Sequence, residues 1–222
     1  MTEEKYPNTN YNYNDGKEDH GTVIDFKGFD WTKANNEDII RFGKTLDLPE
    51  RGIPLCETRI LLKALKDIKY PSNREMTILE TGIFYGTSTR IFIAFTLKNG
   101  GKIYSCESNP RELFKDIMEK ADYWQYVNML LDDSLECEWN KPIDFLFIDS
   151  GHSFKMCYGE YSKFIKYLVK DGIIGFHDTL TFEDNNAVRR TIEKMKEELG
   201  NKIVLKYSSE IDSGIEFFQL KE

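Results

Sequence analysis

The sequence has few cysteines and no long apolar run, and both absences limit what the chain can be. The four cysteines form no CxxC pair and have no histidines at metal-ligand spacing, so we expect reduced thiols in the core. No apolar stretch approaches the length that a membrane span needs. The first residues, MTEEKYPNTNYNYNDG, are acidic and polar without an apolar signal region. These features predict a soluble, cytoplasmic protein.

Basic residues are outnumbered by acidic ones. The 30 Lys and Arg against 38 Asp and Glu give a net charge of −8, with an isoelectric point near 5.1. A nucleic acid or an anionic membrane is bound through clustered basic side chains, so neither is expected as a partner. We expect a small-molecule partner instead, and the sequence leaves open whether the chain forms a homo-oligomer.

The 222 residues suffice for one sizeable core and are too few for two full enzymatic domains. Residues 1–25, rich in Asn, Tyr and Asp, are expected to form a mobile arm, and residues 26–222 a single domain. Apolar residues recur at helical spacing over Asn36–Leu46 and Cys56–Ile68. The segment 36–70 is therefore interpreted as packing helices in front of a motif-bearing core, residues 76–222.

From residue 77 onward, strand-like and helix-like segments alternate. Strands are predicted at Thr77–Glu80, Lys102–Glu107, Val127–Leu131, Ile143–Asp149 and Ile173–His177, and helices at Ser88–Lys98, Pro110–Ala121, Tyr158–Val169 and Asn186–Leu199. This alternation indicates an α/β fold, a doubly wound Rossmann-like sheet of parallel strands with helices on both faces. The ending KIVLKYSSEIDSGIEFFQL instead contains two strand-like runs without a helix between them, which predicts an antiparallel pair at the sheet edge.

The stretch ILETGIFYG, Ile78–Gly86, is an apolar strand that runs into a two-glycine loop before a helix. Gly82 permits a turn that a Cβ would obstruct, Gly86 permits close approach, and the helix start offers unpaired N–H donors to a ligand. The dinucleotide pattern GxGxxG is absent, because the spacing is GxxxG with Phe84 between the glycines. An NAD-dependent oxidoreductase is therefore disfavoured.

Polar residues follow every strand of the predicted parallel sheet. They are Glu80, Glu107, Asp132 with Asp133 and Ser134, Asp149 with His152, and His177 with Asp178. Ligands of open parallel sheets bind outside the carboxyl ends of the strands, so these side chains should meet in one crevice. Acids are also common in turns after strands, where they bond their own backbone, but that explains a full set with two of the three histidines poorly.

Three of these positions suggest contacts with a nucleoside. Glu107 can accept two hydrogen bonds from a ribose diol. Asp133 and the backbone N–H of Ser134 can recognise the edge of an adenine, although the sequence leaves open which of Asp132 and Asp133 faces inward. Glu80 can bind either the N–H groups of its own loop or a ligand ammonium group.

The ordered motifs ILETGIFYGTST, KIYSCESNP, LLDDSLE, IDFLFIDSGHSF and KDGIIGFHDTL resemble the class I S-adenosylmethionine-dependent methyltransferases. They are most similar to the small-molecule O-methyltransferases of the catechol, caffeoyl-coenzyme A and macrolide-sugar type. The resemblance covers roughly residues 55–222 and implies a seven-stranded sheet with a reversed last strand. It implies S-adenosylmethionine as cofactor and O-methylation of a sugar or phenolic hydroxyl.

Carried onto this chain, the resemblance assigns cofactor binding to the glycine loop and to the strand ends. The cofactor-binding residues are Glu80, Gly82, Phe84, Tyr85, Gly86, Ser88, Glu107, Asp133, Ser134 and Asp149. Phe84 replaces the middle glycine that is frequent in this class, so the loop around the methionine moiety departs from the family pattern.

The resemblance also raises a metal site. Metal-dependent members hold a divalent ion with an Asp after the fourth strand and an Asp-Asn pair after the fifth, and this chain has Asp149 and then His177 with Asp178. Such a set suits Mg²⁺, and the histidine shifts the preference toward Mn²⁺, Fe²⁺ or Zn²⁺. Whether a metal is required stays open.

His152 and Asp149 are the candidate catalytic residues. An imidazole with an ordinary pKa of ~6.5 can take the proton of an acceptor hydroxyl. The alternative role for His152 is to orient Asp149. The alternative for the whole chain is a catalytically silent nucleotide-binding partner or regulatory module of the same fold.

Overall fold

The computed structural model describes residues 29–44, 52–120 and 122–221. The predicted arm, residues 1–25, and the end of the first predicted helix, residues 45–46, lie outside these ranges. The helices are α1 (Asn36–Lys44), α2 (Leu55–Lys66), α3 (Thr87–Asn99), α4 (Glu112–Lys120), α5 (Phe154–Phe164) and α6 (Ala187–Leu199). The strands are β1 (Thr77–Thr81), β2 (Lys102–Cys106), β3 (Val127–Leu130), β4 (Ile143–Ile148), β5 (Leu168–His177), β6 (Ile203–Ser209) and β7 (Ile215–Leu220).

The seven strands form one sheet in the order β3-β2-β1-β4-β5-β7-β6. All neighbours pair in parallel except β7, which runs antiparallel to both β5 and β6. The expected fold class is confirmed, including the reversed last strand and the antiparallel pair at the edge. Because the strand order reverses between β1 and β4, their carboxyl ends open a crevice at this point.

Side chains alternate between two cores, one on each face of the sheet. Phe145 and Phe147 pack on one face with apolar residues of α1 to α4, whereas Leu146 and Ile148 pack on the other with α5 and α6. This alternation follows from the two-residue period of a strand, and both faces are covered because parallel strands need crossover helices. Among the described helices, none is long and apolar enough to cross a membrane.

Both predicted boundaries of one helix are wrong. Tyr158–Val169 was expected to be helical, but α5 starts at Phe154 and ends at Phe164. The Ser153 hydroxyl accepts a hydrogen bond from the Met156 N–H and so caps the helix start. Leu168 already belongs to β5, whose pairing with β4 shifts in register before Ile173. The charged and glycine residues between these points hid the early strand start from the apolar pattern.

Candidate functional site

A cleft of about 1030 Å³ opens at the carboxyl ends of β1, β2, β4 and β5. Nearly all of the predicted site residues line it, and Glu80 and Gly86 are the two that do not. The lining members are Gly82, Phe84, Tyr85, Ser88, Glu107, Asp133, Ser134, Asp149, His152, His177 and Asp178. The strand-end residues therefore meet at one place, as the parallel topology requires.

Glu80 lies behind the wall of the cleft and is fully buried. Its carboxyl group accepts hydrogen bonds from the hydroxyls of Ser88, Thr89 at 2.7 Å and Ser105 at 2.8 Å. Burial raises the pKa of Glu80 to about 7, although the three hydroxyls oppose the shift. The contacts of Glu80 within the described residues thus hold the start of α3 against β1 and β2.

The glycine loop has left-handed backbone where the sequence pattern places glycine. Gly82 and Gly86 both have φ of +79°, and a Cβ on Gly82 would lie 2.1 Å from the carbonyl oxygen of Asp149. A Cβ on Gly86 would lie 2.4 Å from the ring of Phe114. Phe84 also has a positive φ, 53°, a backbone conformation that glycine adopts at lower cost than other residues.

Phe84 forms part of an aromatic rim that sequence analysis did not anticipate. Its ring meets the ring of Tyr85 edge-on at 4.3 Å between centres. The guanidinium of Arg111 lies over both rings, 4.4 Å from the centre of Phe84 and 5.2 Å from that of Tyr85. Arg111 lines the cleft as well, so a cation–π contact joins the glycine loop to the segment after β2.

Glu107 is held by backbone donors at the end of β2. Its two carboxylate oxygens accept from the N–H of Ile83 at 3.3 Å and the N–H of Asn109 at 3.0 Å. A carboxylate offers about four lone-pair positions, so two remain for further donors. These contacts fix the carboxylate in the cleft while leaving capacity for a ligand diol.

A tight turn follows β3 and carries the other predicted nucleoside contacts. One oxygen of Asp133, Oδ1, accepts from the N–H of Leu135 at 2.9 Å, and the Asp133 carbonyl accepts from the next two N–H groups of the turn. Within the described part of the chain, Asp133 Oδ2 and the Ser134 N–H have no hydrogen-bond partner. An acceptor, Asp133 Oδ2, and a donor, the Ser134 N–H, are thus adjacent in this turn, and Asp132 lines the cleft as well as Asp133.

The opposite wall is dense in ionisable groups. His152 Nε2 lies 2.7 Å from Asp178 Oδ2, and its Nδ1 lies 2.8 Å from Glu183 Oε2. The hydrogen bond to Asp178 is the largest cause that raises the pKa of His152 to about 9. Burial alone would raise the pKa of Asp178, but the imidazoles of His152 and His177 lower it below its ordinary value. The His152–Asp178 pair is therefore an ion pair at neutral pH.

His177 is buried and is bonded on both sides of its ring. Nδ1 lies 3.0 Å from Asp149 Oδ1, and Nε2 lies 2.8 Å from Glu57 Oε2. Burial lowers the pKa of His177, but its acidic neighbours, Asp149 foremost, outweigh this and raise the pKa well above 6.5. For Asp149, burial raises the pKa, and the neighbouring His177 opposes this shift only in part.

Glu57 contacts the site through His177 and was not among the residues that the sequence analysis singled out. It belongs to α2, which was interpreted only as a packing helix, and it is fully buried. Besides His177, it accepts from the Gly214 N–H at 2.7 Å and from the Ser213 hydroxyl at 3.1 Å. One signal could have found it, because Glu57 falls at helical spacing with the apolar residues Ile60 and Leu61 and so lies on the buried face.

The metal site predicted from the sequence agrees only in part with the structure. Ligand atoms of Asp149, His152 and Asp178 lie within 4.8 Å of one another, and we call these three residues the Asp/His cluster. His177, the third ligand expected from the sequence, is not in this group, although the ring nitrogens of both histidines face carboxylates. A nitrogen and two carboxylate oxygens suit Mn²⁺ or Mg²⁺, with His152 in the place that the sequence gave to His177.

Comparison with known proteins agrees with this geometry. Residues 79–179 match the family model described as a methyltransferase domain. The matched segment contains the glycine loop, Glu107 and the Asp/His cluster. The resemblance to class I S-adenosylmethionine-dependent methyltransferases is confirmed. No curated protein matches the sequence.

Solved structures share the fold at low identity. An S-adenosylmethionine-dependent O-methyltransferase from Thermotoga maritima has a TM-score of 0.58 at 17% identity, covering 82% of this chain and 71% of that one. An O-methyltransferase from Bacillus cereus in complex with S-adenosylhomocysteine has a TM-score of 0.56 at 19% identity, covering 83% and 90%. The N-methyltransferase NodS from Bradyrhizobium japonicum has a TM-score of 0.52 at 14% identity, covering 75% and 97%. Such likeness establishes the fold, which serves oxygen and nitrogen acceptors alike.

Proposed function

We propose that the protein transfers the methyl group of S-adenosylmethionine to an oxygen of a small molecule, a sugar or phenolic hydroxyl. One observation supports this most: a single cleft joins the glycine loop and Glu107 on one wall to the Asp/His cluster on the other. The first wall has the groups that a nucleoside needs, and the second has the groups that a hydroxyl needs. The methyltransferase domain match over residues 79–179 supports the same class of reaction.

The cofactor side fits S-adenosylmethionine group by group. Gly82 leaves room where a Cβ would meet the backbone of Asp149, so the loop can lie close to a ligand. Glu107 retains lone pairs for the ribose diol. Asp133 Oδ2 can accept from the exocyclic amino group of adenine while the Ser134 N–H donates to the adjacent ring nitrogen. The carboxylates of the cleft also favour the positive charge of a sulfonium.

The acceptor side supplies orientation and a place for the proton. When bound, S-adenosylmethionine supplies an already activated methyl group, so the protein has to position the acceptor and keep water out. Asp149 and Asp178 can accept a hydrogen bond from the acceptor hydroxyl. His152 keeps its own proton up to a pH of about 9, so near neutral pH it orients the acceptor hydroxyl through its contact with Asp178, and it serves as base only in its deprotonated form.

A divalent ion is a second way for the same residues to act. Asp149, His152 and Asp178 would hold the ion, which would lower the pKa of a bound hydroxyl. The test is to titrate Mn²⁺ and Mg²⁺ into the protein by calorimetry and to repeat this with Asp178→Asn. Binding that Asp178→Asn weakens supports the metal, and absence of binding at millimolar ion favours the metal-free arrangement.

Calorimetry with S-adenosylmethionine and S-adenosylhomocysteine, followed by mass spectrometry of a panel of sugars and phenols, tests the proposed function. We expect binding of both ligands and a mass gain of one methyl group on an oxygen acceptor. Failure to bind either ligand would overturn the cofactor assignment. Binding without turnover on hydroxyl and amine panels would favour the alternative, a catalytically silent module that binds the nucleoside.

A further inference from the structure

One face of α5 packs against the turn after β3, Asp133–Cys137. We call this turn the adenine turn. Gly159, Glu160 and Lys163 of α5 all approach it. A Cβ on Gly159 would lie 2.8 Å from Leu135 Cδ2, so glycine lets the turn lie directly against the helix. None of these α5 residues lines the cleft.

Glu160 joins two loops of the cleft wall. It is fully buried, and its Oε1 accepts from the hydroxyl of Ser134 and from the hydroxyl of Ser150 at 2.7 Å. Ser134 follows β3 and Ser150 follows β4, and both line the cleft. A buried carboxyl group needs such donors to offset its desolvation, so the two hydroxyls are held in fixed orientations.

Lys163 fixes the backbone of the same turn. Its ammonium group donates to the carbonyl of Ser134 at 2.8 Å and to the carbonyl of Cys137. The carbonyl and the N–H both belong to the backbone of Ser134. A lysine that fixes the carbonyl therefore also limits where the N–H points. That N–H is the donor left free at the cleft.

We infer that Glu160 and Lys163 are positioning residues that hold the adenine turn in the orientation needed to discriminate adenine from other bases. The inference rests on the proposed function, since it assumes that an adenosyl group lies against Asp133 and Ser134. Neither residue lines the cleft, so neither would touch the bound ligand. They act through Ser134, which α5 binds by both its hydroxyl and its carbonyl.

The discriminating ligands are S-adenosylhomocysteine and S-inosylhomocysteine, in which the amino group of adenine is replaced by a carbonyl. The carbonyl presents an acceptor to Asp133 and the ring N–H presents a donor to the Ser134 N–H, so both hydrogen bonds are lost. We expect the unchanged protein to bind S-adenosylhomocysteine at least about 10-fold more tightly, since an unpaired buried polar group costs about 1–3 kcal/mol.

Calorimetry on Lys163→Met and Glu160→Ala should show this preference reduced to about 2-fold, because a turn released from α5 no longer fixes the donor and acceptor. Two matched control variants should retain the preference for S-adenosylhomocysteine. Lys155→Met changes an exposed lysine of the same helix, and Glu160→Gln retains an oxygen that accepts from both serines. If Glu160→Ala melts below the assay temperature, Lys163→Met decides alone.

An unchanged preference in Lys163→Met would overturn the inference even if the overall affinity fell, since a merely structural role weakens both ligands alike. An unchanged protein that binds S-adenosylhomocysteine without preferring it would also overturn the inference while supporting the proposed function. An unchanged protein that binds neither ligand would overturn the proposed function itself.

Discussion

The two walls of the cleft are built in different ways. On the cofactor side, Glu107 and Asp133 bind backbone N–H groups of the loops, and Asp133 bonds within its own turn. On the acceptor side, charged side chains pair across long stretches of sequence, as with His177 and Glu57, which are 120 positions apart. The first wall depends on backbone geometry and the second on buried charge. Substitutions on the cofactor side should therefore weaken ligand binding, whereas substitutions on the acceptor side should lower the rate of methyl transfer.

The largest effect is expected from Gly82→Ala. The new Cβ would meet the Asp149 carbonyl at 2.1 Å and force the ends of β1 and β4 apart. We expect S-adenosylhomocysteine affinity, measured by calorimetry, to fall by about 100-fold or more, since displacements of this size are costly to a preorganised site.

Gly100→Ala is the matched control for Gly82→Ala. Gly100 also has a positive φ, +83°, with ψ at 164°, but nothing lies within 4 Å of its added Cβ. Gly100→Ala should cost about 1–3 kcal/mol of folding free energy from backbone strain and leave affinity unchanged. Equal affinities for the two variants would show that contact with Asp149 does not matter.

The second effect is expected from His152→Ala, on the acceptor wall. Loss of a group that accepts or orients the acceptor proton should lower the methyl-transfer rate by about 100-fold. S-adenosylhomocysteine affinity should stay within about twofold, because the cofactor contacts lie on the other wall. A rate equal to that of the unchanged protein would exclude the base role, and the assay should be run with and without Mn²⁺.

A smaller loss of rate is expected from Glu57→Gln. The amide removes the charge that faces His177 but keeps an oxygen for the Gly214 N–H. The rate should fall by about 10-fold with affinity retained, and the free energy of unfolding by urea should fall by about 1–3 kcal/mol. Glu37→Gln is the control, because Glu37 is 62% exposed, and it should change neither quantity.

The smallest effect is a pH dependence of stability at Glu80. Burial raises the pKa of Glu80 to about 7 from 4.5, so the folded protein binds this proton more tightly than the unfolded chain. The contribution to stability is therefore full below about pH 4.5 and is lost as pH rises to about 7. Urea unfolding between pH 5 and 8 should show a flatter profile for Glu80→Gln, and identical profiles would contradict this shift.

Most of the fold and the cofactor wall could be predicted from sequence, because both depend on local patterns. The alternation of strands and helices predicts that the strands run parallel, and Gly82 and Gly86 mark backbone that other residues rarely adopt. Glu107 follows directly from the end of β2. The start of β5 was missed because Lys170 and Asp171 interrupt its apolar run.

The acceptor wall could be predicted only in part. Asp149, His152 and Asp178 follow strands, so their meeting was foreseeable, but which histidine would group with the two carboxylates was not. The partners of the histidines were not foreseeable either, because Glu57 reaches His177 from a helix far away in sequence. Glu183 likewise reaches His152 from the segment before α6. A strand pattern carries no information about such partners.

The position of Glu57 on α2 also bears on where the functional unit begins. The methyltransferase domain match starts at residue 79, and the motif-based core starts at residue 76, yet Glu57 lies upstream of both. A fragment that began at residue 76 would keep all seven strands and every motif but would lose the carboxylate that faces His177 Nε2, leaving the Ser213 hydroxyl at 3.2 Å. A helix ahead of the sheet thus supplies a buried charge to the candidate site, so a comparison limited to residues 79–179 would overlook a residue that faces His177.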